Sequence, residues 1–78
     1  MQGKQIKRFE LFSSLTTDNC RIEFLFTDES SQIIDMTPGR YAAAVATLQA
    51  SSISYYTYDP SHEEHFISSA PIILGKGY

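Results

Sequence analysis

The chain has 78 residues, a formal charge of −3, and 42 % hydrophobic against 19 % charged residues. That is apolar material enough for a core, which argues against a disordered chain, and the length suits one domain, residues 1–78. Cys20 is the only cysteine, so an internal disulfide is excluded.

A domain of this size buries only about 60 % of the surface of its unfolded chain. Small domains add stability through disulfides, metals or oligomers. With disulfides excluded, self-association and metal binding are the two to consider. The cations are uneven. Lys4, Lys7 and Arg8 sit near the start, while residues 9–39 hold Arg21 alone against Glu10, Asp18, Glu23, Asp28, Glu29 and Asp35. Phosphate binding needs a basic face, so nucleic acid is a disfavoured partner.

In chain order, residues 5–15 are rich in strand formers: Ile6, Phe9, Leu11 and Phe12. The alternation breaks between Ile6 and Phe9, which predicts a bulge or a bend. Thr16 to Asn19 is a polar turn cluster, expected to close a hairpin with a loop of four or five residues. Cys20, Ile22, Phe24 and Phe26 then alternate with Arg21, Glu23, Leu25 and Thr27, the clearest period of two in the chain. A turn over Asp28 to Ser31 leads to a short third strand from Gln32 to Met36.

Thr37-Pro38 is a helix start, because threonine caps well and proline suits the first helical position. Arg40 stands where a capping box needs Glu or Gln. Tyr41, Ala44, Val45 and Leu48 fall at helical spacing, so residues 38–50 are expected to form one helix with a narrow apolar stripe. Ala42, Ala43 and Ala46 leave room for close packing against a sheet or a neighbouring subunit. Strand spacing returns after Ser52. Ile53, Tyr55 and Thr57 are expected on one face, with Ser54, Tyr56 and Tyr58 on the other. Asp59-Pro60-Ser61 is a turn signal, and a last strand is expected from about His65 to Ile73, with Pro71 at an edge or bulge.

The order is β-β-β-α-β-β. It fits an OB-like five-stranded barrel whose helix closes the bottom between strands three and four. The alternative is an α+β fold, one helix on an open antiparallel sheet. No segment has the pattern of a signal peptide or the length of a membrane span. The expected compartment is cytoplasmic, or extracellular if a leader has been removed.

The stretch YYTYDPSHEEHF, residues 55–66, holds most of the candidate chemistry. His62, His65 and Asp59 are donor types that zinc accepts. They are weak metal candidates, because the histidines are three apart and follow a turn, unlike the helical HExxH pair. A solvated hairpin loop is the simpler expectation, and no cofactor is expected. Cys20 at a strand start is expected to be a small buried hydrophobe rather than a nucleophile. The serines lie in turns and strand ends without a GxSxG elbow, and no phosphate loop is present. No catalytic residue is expected, and the chain is read as non-enzymatic.

Tyrosine has an apolar body and a polar tip, which suits binding surfaces. Tyr56, Tyr58 and Asp59 are therefore the candidate ligand-binding residues. The simpler arrangement has Tyr55 in the core and the other tyrosines covering the sheet edge. In an OB barrel the ligand face is flanked by two loops, here Thr16–Asn19 and Asp59–Glu64.

The run from Arg40 to Ile73 joins a small-residue helix, a Tyr-rich strand ending Tyr58-Asp59-Pro60, a short loop and a last strand. It resembles the B subunits of AB5 bacterial toxins of the subtilase-cytotoxin type. The resemblance implies an OB fold, a pentameric ring and binding of sialylated glycans, with Tyr58 as a ring for ligand contact. The chain departs from that family in having one cysteine and no leader pattern. Gln2 and Gly3 stand where the family has its glycan-binding serine. The resulting expectation is a binding and assembly module that forms a closed homo-oligomer and takes a glycan or small polar ligand. The alternatives are a small acidic inhibitor or regulator of a basic protein partner and, less favoured, a metal-binding protein.

Overall fold

The computed structural model describes residues 3–71. Five strands and one helix follow in the expected order: β1 Lys4–Ser13, β2 Cys20–Phe26, β3 Ser31–Met36, α1 Pro38–Gln49, β4 Tyr55–Asp59 and β5 Glu64–Ser68. The strands form one antiparallel sheet, ordered β3-β2-β1-β4-β5. No ladder joins β3 to β5 among the described residues. The protein is thus mainly β with one helix on an open sheet, and the helix packs against β2 and β5.

The break in the β1 pattern is a bulge. Ile6 pairs with Phe26 and Arg8 with Leu25, so Lys7 is the extra residue. The insertion flips the alternation, and Phe9 joins Ile6 on the inward face. Along β2, Cys20, Ile22, Phe24 and Phe26 are all buried. A phenylalanine or isoleucine taken out of water here contributes roughly 1.5–3 kcal/mol. The core is Ile6, Ile22, Phe24, Phe26, Leu48 and Tyr56, so it draws on β1, β2, β4 and the helix.

The connection between β1 and β2 spans residues 14–19, slightly longer than expected. Ser14 Oγ accepts from the amides of Thr16 and Thr17 there. The β2–β3 turn is an Asx turn, with Asp28 Oδ1 accepting from the Ser30 amide at 2.9 Å. The Ser30 hydroxyl and amide, assisted by Lys4, hold the Asp28 carboxyl down at about 2. Glu29 takes a left-handed φ of 70° in that turn. Lys4 and Lys7 reach over it to Asp28 and Glu29. Such exposed pairs contribute little.

Thr37 caps α1 by accepting from the Arg40 amide at 3.4 Å, and Pro38 opens the first turn. The stripe is as spaced: Leu48 is buried, and Tyr41, Ala44 and Val45 pack on the core. Ala42, Ala43 and Ala46 are exposed. No helix among the described residues is long and apolar enough to cross a membrane. The expected last strand stops at Ser68, before Pro71, and its proposed end at residues 72–73 lies outside the described residues.

Candidate functional site

Residues 55–66 form a β-hairpin, with Tyr58 opposite His65 and Asp59 opposite Glu64. Its turn is built by Asp59, which is only 6 % exposed. Asp59 Oδ1 accepts from the Ser61 amide at 3.0 Å, and Oδ2 accepts from His62 Nδ1 at 2.6 Å. The His62 hydrogen bond, more than the Ser61 amide, holds the Asp59 carboxyl below its ordinary range. The same contact raises His62. Glu63 closes the turn at φ 50°. Both oxygens of Asp59 are therefore engaged in shaping the hairpin.

Tyr56 rather than Tyr55 is the core tyrosine. It is 8 % exposed, whereas Tyr55 is half-buried. The Tyr56 ring lies 5.9 Å from Phe24 and 5.4 Å from Phe26. The reason is on the partner strands: Tyr56 meets the inward, aromatic face of β2, which period alone does not reveal. Its hydroxyl meets His65 Nδ1 at 2.7 Å. Burial pushes the Tyr56 phenol up. Tyr58 is half-buried and meets His65 in a tilted ring contact, 4.7 Å between ring centres.

The three expected ligand residues thus share one hairpin but not one surface. Tyr56 and Tyr58 project from the sheet face on which β5 carries His65, and Asp59 projects from the opposite face. His62 is tied to Asp59 and His65 to Tyr56, so these donors do not converge on one point. Among the described residues no group of three or more His, Cys, Asp and Glu is placed to hold a metal ion. Cys20 is free and buried, with its sulfur 3.7 Å from Ser13 Oγ.

The two loops expected to flank one ligand face lie apart. The ladder joins Lys4 to Tyr56 and Gln5 to Tyr55, so β4 runs toward the start of β1. Residues 60–63 therefore lie at the N-terminal end of β1, and residues 14–19 at its C-terminal end.

A cleft of about 450 Å³ opens instead between the helix and the two edge strands. Phe24, Ile34 and Met36 line it from β2 and β3, Ala43 and Ala44 from α1, and Ile67 from β5. Its polar groups are Arg40, Thr47, Glu64 and the Tyr56–His65 pair. A partly apolar cleft with a few convergent polar groups is the usual form of a small-ligand site. Sequence reasoning missed it. The alanine run was the available signal, since small side chains on a helix that faces a sheet leave space.

No protein-family model matches the chain, and neither a curated protein nor a solved structure matches it.

Proposed function

We propose that this protein is a non-enzymatic binding and assembly module that self-associates into a closed homo-oligomer. The observation that carries this reading is the far half of β1. The β1–β4 ladder covers only Lys4 and Gln5, and the Ile6 amide then reaches Ser54. Beyond that point no ladder covers this edge of β1 among the described residues. Beside it lie three exposed large apolar side chains, Leu11, Phe12 and Leu15, the last 99 % exposed. An unpaired strand edge next to apolar side chains favours strand addition by another chain. A second copy supplies such a strand. A heterologous contact of this kind closes into a ring when the rotation allows, and an isologous one stops at a dimer.

The test is mass in solution by light scattering. A defined oligomer is expected for the native chain, and a shift toward monomer for the double variant Phe12→Lys, Leu15→Asp. Ala46→Glu reports separately on the exposed helix face. A monomeric native chain at tens of micromolar would overturn the proposal. Glycan binding, as the toxin-like resemblance implies, rests on the Tyr58 ring alone, because Asp59 spends both oxygens on the turn.

A further inference from the structure

We infer that the cleft under the helix is a site for a small amphipathic anion, with Arg40 and His65 as its hydrogen-bond donors and the apolar lining as the bed for its body. This inference does not depend on self-association. The far half of β1, which carries that proposal, contributes no side chain to the cleft.

The argument starts from the donors. Arg40 stands in the first turn of the helix, and its side chain makes no ion pair among the described residues. A guanidinium carries only donors and keeps its charge at any ordinary pH. It is matched best by a carboxylate or another oxyanion.

His65 is the second donor. Its Nδ1 faces the Tyr56 hydroxyl at 2.7 Å. Tyr56 is largely buried, and no other partner is recorded for its hydroxyl among the described residues. We assign the hydroxyl as the donor to Nδ1, the one side-chain partner it meets among the described residues. The neutral imidazole then carries its proton on Nε2. Nε2 is thus a donor, and the Tyr58 and Tyr56 rings lie 4.7 and 5.9 Å from the imidazole centre.

The body of the ligand is set by the lining. Phe24, Ile34, Met36 and Ile67 present apolar surface, and Ala43 and Ala44 provide the space. Glu64 lines the same cleft and is the group that opposes an anion. The site is therefore expected to be weak, and Glu64 gives the test its sign.

The experiment is an amide NMR titration of the full chain with octanoate, octanol and octylammonium, which share a tail and differ in charge. Octanoate is expected to give saturable shifts at Ala43, Ala44 and Ile67. It should bind about tenfold more tightly than octanol, as one charge-assisted contact provides. Arg40→Gln is expected to reduce that preference severalfold while leaving octanol binding unchanged, and Glu64→Gln to strengthen octanoate binding several-fold. Tyr56→Phe, which keeps the ring but frees His65 Nδ1, is expected to weaken octanoate alone. Equal binding of octanoate and octylammonium would overturn the inference, as would shifts confined to another surface or an unchanged preference in Arg40→Gln. Mass is recorded for every sample. A monomer that binds octanoate leaves this inference standing without the assembly proposal, and an oligomer that ignores it does the reverse.

Discussion

At the β4–β5 turn, the contact between His62 and Asp59 makes local geometry depend on pH. Asp59 is depressed in the folded chain, so its share of stability is complete above its ordinary 3.8 and is lost as pH falls through the lower folded value. His62 is raised, so its share is complete below its ordinary 6.5 and is lost as pH rises through the higher folded value. Both shares are complete between 3.8 and 6.5. The melting temperature of the native chain, relative to His62→Gln, is therefore expected to be highest in that window. It should fall away on both sides, and a difference that stays flat from pH 4 to 9 would contradict the account. His62 is well exposed, so the effect is small and screened by salt. The composition of this stretch suggested a solvated loop. The pairing within it was not readable, because a turn decides which of three neighbouring acids (Asp59, Glu63 and Glu64) a histidine meets.

At the scale of elements, each strand and the helix carry their own signals. The helix begins where Thr37 and Pro38 require it and ends at Gln49, with Ala50 as its C-cap. Thr37→Ala removes the acceptor for the Arg40 amide and is expected to cost about 1 kcal/mol, measured by denaturant unfolding. A cost below the error of that measurement would mean that water replaces the cap. The bulge at Lys7 was also readable, since Ile6 and Phe9 cannot share a face without an extra residue between them. The edge of the sheet was less so. The reach of the β1–β4 ladder depends on where the helix returns the chain, and no local pattern reports that.

For the whole molecule, the core links distant parts of the chain. Leu48 of the helix packs with Ile6, Ile22, Phe24, Phe26 and Tyr56 from three strands. Helix and sheet should therefore unfold together. Leu48→Ala is expected to destabilise the chain by about 2–5 kcal/mol. Far-ultraviolet circular dichroism and tyrosine fluorescence should still give coincident transitions. A helix signal lost before the tyrosine signal would show that α1 is only loosely docked. For a domain this small, that cost is a large part of the total stability.

Taken alone, the sequence determined the order of elements, the buried face of β2 and the start of the helix. Those features follow from periodicity and capping, which act over a few neighbouring residues. Only the tertiary structure decided that the sheet stays open between β3 and β5. It also decided that Tyr56 and not Tyr55 enters the core, and that Arg40, Glu64 and His65 line one cleft. These outcomes depend on register and on how strands far apart in sequence meet. A one-residue change of register would turn every side chain of β4 to the other face.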